Sequence, residues 1–162
     1  MNESTPHWYP AFVSGGFLTR TVLIAEDFAP FRQLICTMLQ TIPDVRVTCE
    51  TANGLQAVEQ AAEVQPDLVL LDIGLPGLDG IEAARRIRKR SPQSKIVFVS
   101  TELSPEIVHE ALATGAVGYV AKPDAAGELV IAIEAALRGD RFIGKRFEGQ
   151  DLFPPIISDD AQ

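Results

Sequence analysis

Three carboxylates, two hydroxyls and an amine stand at corresponding places in this chain: Glu26-Asp27, Asp72, Ser100-Thr101 and Lys122-Pro123 each follow a short apolar run. If the runs are neighbouring strands, these groups gather at one edge. Two like charges about 4 Å apart repel by roughly 4 kcal/mol at an effective dielectric near 20, so such a cluster is unfavourable unless a cation joins it. Counting Glu26, Asp27 and Asp72 as −1 each and Lys122 as +1 leaves −2, which one divalent ion cancels. Oxygen-only ligands in a small site point to Mg2+. Acids at strand ends also serve as helix caps and turn formers. Four groups in register are hard to assign to capping alone.

The elements that must position them are legible as five repeats of an apolar run, a turn and a helical apolar pattern between Thr21 and Gly139. The strand-like runs are Val22 to Ala25, Val45 to Cys49, Leu68 to Leu71, Ile96 to Val99 and Val117 to Val120. Most lack polar alternation, which predicts strands covered on both faces of a parallel sheet. The first helix carries Phe31, Leu34, Ile35, Met38, Leu39 and Ile42 on one face and stops before Pro43. The second runs from about Gly54 to Val64 and ends at Pro66; the third carries Ile81, Ala84 and Ile87. The fourth carries Ile107, Val108, Ala111 and Leu112 and is closed by Gly115. The fifth carries Leu129, Val130, Ile133, Ala136 and Leu137, with Gly139 as its cap. Alternating strands and helices imply right-handed crossovers, and ligands of such sheets bind outside the carboxyl ends of the strands.

A length of 162 residues suits one domain, and 46% hydrophobic with 22% charged residues is the usage of a packed globular protein. The net charge of −8 opposes direct binding of nucleic acid or an anionic membrane surface. Cys36 and Cys49 form neither a metal-ligand spacing nor a disulfide framework, which reads as reduced core thiols in a cytoplasmic protein. Residues 1–20 lack the basic start and unbroken apolar stretch of a signal peptide, and no apolar run approaches the length needed to span a bilayer. Residues 1–20 read as a flexible arm in which Trp8, Tyr9 and Phe12 could dock.

With these residues in place, the stretch from about Thr21 to Arg138 resembles the receiver domain of bacterial two-component response regulators. Glu26 and Asp27 match the acidic pair of that family, and Asp72 within Leu71-Asp72-Ile73-Gly74-Leu75-Pro76 matches its phosphoacceptor. Ser100 matches the hydroxyl position, Lys122-Pro123 the lysine and its partner, and Tyr119 the aromatic switch. The resemblance implies an α/β, flavodoxin-like (βα)5 fold: five parallel strands in the order 2-1-3-4-5, with helices on both faces. It implies that Mg2+ is held by Asp27, Asp72 and the Gly74 carbonyl, with Glu26 acting through water. Asp72 would attack a phosphoryl group to give an acyl phosphate, and Ser100, Thr101 and Lys122 would bind its oxygens. A cis peptide between Lys122 and Pro123 is expected to fix the aim of the amine. Ser100 would then move toward the phosphate and let Tyr119 turn inward, shifting an existing equilibrium. Gly74 and Glu102 border the water path and would tune the lifetime of the phosphate. Implied partners are a sensor histidine kinase or phosphotransfer protein. The fourth helix, fifth strand and fifth helix would meet a downstream protein or a second copy when phosphorylated. Such a domain is a switch rather than an enzyme, apart from hydrolysis of its own phosphate.

Other signals carry less. Gly139 to Lys145 has P-loop spacing, but Arg146 stands where Ser or Thr is needed, and the run follows a helix. Arg85, Arg86, Arg88, Lys89 and Arg90 flank an amphipathic helix and read as a solvated face. His7 and His109 read as surface residues. An FMN-binding flavodoxin would need a phosphate where Glu26-Asp27 repels one. An aspartyl phosphatase would need a second Asp where Gly74 stands, and a pseudo-receiver would bind partners without phosphate uptake. Residues 139–162 read as a tail or linker remnant without an output domain. The stretch Arg138 to Ile143 resembles the linker of helix-turn-helix regulators, so an output domain lost from the chain is one reading. A stand-alone receiver, favoured by the acidic tail, is the other.

Overall fold

The computed structural model describes residues 19–155. Most of the expected arm, with His7, Trp8, Tyr9 and Phe12, and the last seven residues of the expected tail lie outside the described residues.

The order of elements is β1 (Arg20–Ala25), α1 (Ala29–Leu39), β2 (Val45–Thr51), α2 (Gly54–Val64), β3 (Leu68–Leu71), α3 (Gly80–Arg90), β4 (Lys95–Ser100), α4 (Pro105–Leu112) and β5 (Gly118–Ala121). A 3-10 turn (Lys122–Asp124), α5 (Ala125–Leu137), β6 (Phe142–Ile143) and a second 3-10 turn (Lys145–Phe147) follow. Every pairing is parallel and the strand order is β2-β1-β3-β4-β5-β6. The expected flavodoxin-like wind is therefore present, but the sheet has six strands, not five. Phe142 N–H donates to Val117 O at 2.8 Å and Gly144 N–H to Tyr119 O at 3.0 Å, carrying the ladder past β5. Two residues are too few to show a strand period, which hid this strand inside the P-loop-like run.

Adjacent residues of β1 serve opposite layers. Leu23 and Ala25 join α2, α3 and α4 in one core, and Val22 and Ile24 join α1 and α5 in the other. Both faces of the sheet are thus dry, as the unbroken apolar runs require. Leu34 departs from the helical stripe assigned to it: it is exposed, and Ile35 and Leu39 carry the packed side of α1. Cys36 and Cys49 are free and half-buried. The basic face of α3 is exposed and laced to acids, with Arg85 bonded to Glu82 and Glu110 and Arg86 to Glu82. No described helix is long and apolar enough to cross a membrane.

Helix starts follow local chemistry. Asn53 caps α2 by accepting from Gln56 N, Ser104 caps α4, and Asp79 accepts from both Ile81 N and Glu82 N at the start of α3. Asp79→Ala should cost about 1 kcal/mol, read as a fall in Tm of a few degrees. An unchanged Tm would mean that those two amides find other partners.

Candidate functional site

The sheet register brings the chemistry together. Ala25 pairs with Leu71, Leu71 with Phe98, and Ser100 with Ala121, so the residues after these strands emerge at one edge. The ladder runs one step further, with Asp72 N–H donating to Ala25 O at 3.1 Å and Glu26 N–H to Thr51 O at 2.9 Å. Glu26 and Asp72 thereby leave the sheet side by side, both buried.

Lys122 lies between them. Its Nζ is 3.0 Å from Asp72 Oδ2 and 2.9 Å and 3.1 Å from the two oxygens of Glu26. The longer Glu26 contact has hydrogen-bond geometry, whereas Oε1 is buried with no hydrogen bond of its own. Glu26 also accepts from Phe28 N–H at 2.9 Å, and Arg32 donates to the Glu26 carbonyl at 2.6 Å. Asp27 is exposed at the rim, and one oxygen from each of Glu26, Asp27 and Asp72 lies within 4.8 Å of the others. A single ion could touch all three. Burial pushes the Glu26 carboxyl up, and the bonds from Lys122 and Phe28 only partly pull it back. Burial also works against the Lys122 ammonium, but its bonds to Glu26 and Asp72 outweigh that and raise it overall. The pocket therefore holds more carboxylate than one amine can satisfy, a donor set that fits a hard divalent cation.

The remaining predicted residues lie around this cluster. Gly74 lies beside Asp72, its N–H 3.4 Å from Asp72 Oδ1, and it is exposed. Ser100 is buried, but its hydroxyl accepts from Glu102 N–H at 3.2 Å rather than bonding to Asp72, and Thr101 is exposed. Tyr119 is already fully buried, donating to Glu102 O at 2.7 Å, so the expected inward turn does not start from an outward ring. Burial pushes its phenol up to about 12, with the Ser100 hydroxyl drawing it down.

One further expectation about detail changes. No peptide bond among the described residues is cis, so Lys122–Pro123 is trans. Pro123 instead sits in the first turn of the 3-10 element, where its ring suits the backbone, and side-chain contacts aim the amine. One of those contacts escaped the sequence reading: the Phe31 ring lies under Lys122, 4.9 Å from Nζ to centroid. Phe31 sits in an ordinary apolar stripe, so no sequence signal separated it from the core.

A family model described as the response regulator receiver domain matches residues 22–134. The chain belongs to that family. As a receiver it is 30% identical to the transcriptional regulatory protein LiaR of Bacillus subtilis, over 81% of this chain and 62% of the relative. It is 33% identical to the nitrate/nitrite response regulator NarL of Escherichia coli K12, over 77% of this chain and 58% of that protein. Among solved structures, a LuxR-family two-component response regulator from Aurantimonas superposes with TM-score 0.75 at 32% identity, covering 79% of this receiver and 91% of that chain. The response regulator domain of Thermotoga maritima CheB gives 0.69 at 34%, covering 74% and 97%. The chain spans about three-fifths of the length of LiaR and NarL.

Proposed function

We propose that this receiver is a phosphorylation switch whose acceptor is Asp72. The observation that carries the reading is the convergence of Glu26, Asp27 and Asp72 with Lys122 at one end of the sheet. An Asp72 oxygen attacks phosphorus, the bond from phosphorus to the donor histidine nitrogen breaks, and an acyl phosphate forms. Asp27, Asp72 and the Gly74 carbonyl would ligate Mg2+, with Glu26 acting through water. The ion, when bound, orients the donor and neutralises equatorial oxygens. Lys122 leaves its bond with Asp72 to pair with the new phosphate, and Glu26, still beside it, limits how far it travels. Ser100 and Thr101 N–H donate to the phosphate oxygens.

A Ser100 that turns toward the phosphate would weaken the bond it accepts from Glu102 N–H, and Glu102 O is where Tyr119 is anchored. That shared residue makes Ser100 and Tyr119 a coupled pair and supports Tyr119 as the switch. Gly74 and Glu102, both exposed beside the site, tune access of hydrolytic water. The donor is a sensor histidine kinase or phosphotransfer protein, and output passes through the face made by α4, β5 and α5. Its recipient is a downstream protein or a second copy. Control of transcription by a linked DNA-binding domain is the second reading of the output, favoured by the regulators it is similar to.

The test is incubation with acetyl phosphate and Mg2+ followed by phosphate-affinity electrophoresis. The wild type should shift and Asp72→Asn should not. A wild type that never shifts would make the domain a binding module that works without phosphate.

A further inference from the structure

We propose that residues 142–153 form a strap across the α4–β5–α5 face, and that a phosphoryl group on Asp72 loosens it. The inference rests on the phosphorylation reading above and adds what that face first acts upon: the chain's own C-terminal segment.

The strap is built in, as the burial of its side chains indicates. Phe147 is 2% exposed and Leu152 7%, and both belong to the core that contains Tyr119. The Phe147 ring meets the Tyr119 ring edge-on, with centroids 5.6 Å apart at 88°. The backbone is tied as well: β6 takes the outer edge of β5, and Leu152 O lies 3.0 Å from His109 Nδ1 on α4. Arg146 makes two bonds to Asp124, at 2.6 and 3.0 Å, and Lys145 N–H donates to Glu128 on α5 at 2.9 Å. Arg141 stacks over Phe153 at 4.6 Å. One segment thus touches α4, β5 and α5 together.

Two of these ties lead back to the phosphoryl site. Tyr119 is anchored on Glu102 O, and Glu102 N–H is held by Ser100, so a Ser100 that turns toward Asp72 releases the tyrosine on which Phe147 rests. Asp124, the partner of Arg146, closes the same three-residue turn that begins with Lys122. A lysine drawn toward a phosphate pulls on that turn. The strap also occupies the free edge of β5, so another protein can use this face fully only when the strap is displaced.

Hydrogen exchange by mass spectrometry on the full chain, with Mg2+ and with or without beryllofluoride or acetyl phosphate, tests the proposal. Amides of 142–153 should exchange about tenfold faster or more after treatment, and should not change in Asp72→Asn. Arg146→Ala removes a surface pair without disturbing the core and should raise untreated exchange of the strap about two- to fivefold. If treatment alters residues 100–104 but leaves 142–153 as protected as before, the strap is wrong and the phosphorylation reading stands. If nothing changes and Asp72 takes up no phosphate, both fall.

Discussion

Replacing Lys122 by methionine is expected to remove about 3 kcal/mol of folding stability at neutral pH without metal, the cost of leaving two buried carboxylates without their shared cation. The side chains of Glu26 and Asp72 are only 2% and 8% exposed, so bulk water replaces the amine poorly. The loss should depend on pH in a stated direction. The carboxyl of Glu26 is raised in the folded protein, so its contribution to stability is full below its ordinary value and falls as pH rises through the raised one. Lys122 is raised as well, so its contribution is full below the ordinary lysine value and is lost as pH rises through its elevated one, far above neutrality. Removing the lysine raises Glu26 further, so the difference between variant and wild type should be small in mild acid and widen toward neutrality. Added Mg2+ should recover part of it, because a divalent ion can neutralise the same carboxylates. Urea unfolding across pH 4.5 to 7.5 checks this. A deficit that does not vary with pH would mean that Lys122 contributes through packing on Phe31 and not through charge.

Gly80→Ala should be the other severe change. A Cβ at this position would overlap the Asp72 carbonyl oxygen and crowd Ile73, both backbone, so the Asp72 backbone itself must move. We expect a loss of about 3 kcal/mol or more, with phosphate uptake falling along with it. Gly127→Ala is the matched control: it lies in α5, a Cβ there meets nothing within 4 Å, and alanine should stabilise by up to about 1 kcal/mol. Thermal unfolding and acetyl phosphate labelling of both variants decide the matter. A Gly80→Ala protein that labels and melts like wild type would show that the chain after β3 has slack that the structure does not suggest.

What could be read from the sequence divides along a physical line. Segments specified by local chemistry were legible: α2 begins and ends where Gly54 and Val64 were placed, and β3 is Leu68 to Leu71. The convergence of Glu26, Asp72 and Lys122 was also legible, because parallel register turns equal positions in successive repeats into neighbours. Features set by partners distant in sequence were not. The short strand Phe142–Ile143 exists because the edge of β5 is there to receive it. Phe31 looked like any core residue until the fold put an ammonium over it. The dipeptide Lys122-Pro123 suggests a cis bond that would aim the amine, whereas its two carboxylates and that ring aim it. Leu34 shares the spacing of its packed neighbours, but α1 turns it to water.

The segment between β3 and α3 has a mechanical consequence. Gly80 N–H and Leu75 N–H both bond to Ile73 O, at 2.7 and 2.9 Å, and Gly54 N–H bonds to Pro76 O at 3.1 Å. Across the sheet edge, Thr101, Glu102 and Leu103 all lie exposed. One wall is pinned by three backbone bonds, and the other faces solvent. Under the phosphorylation reading, substitutions that disturb the pinned wall should abolish phosphate uptake, whereas substitutions at Glu102 should change only how long the phosphate lasts.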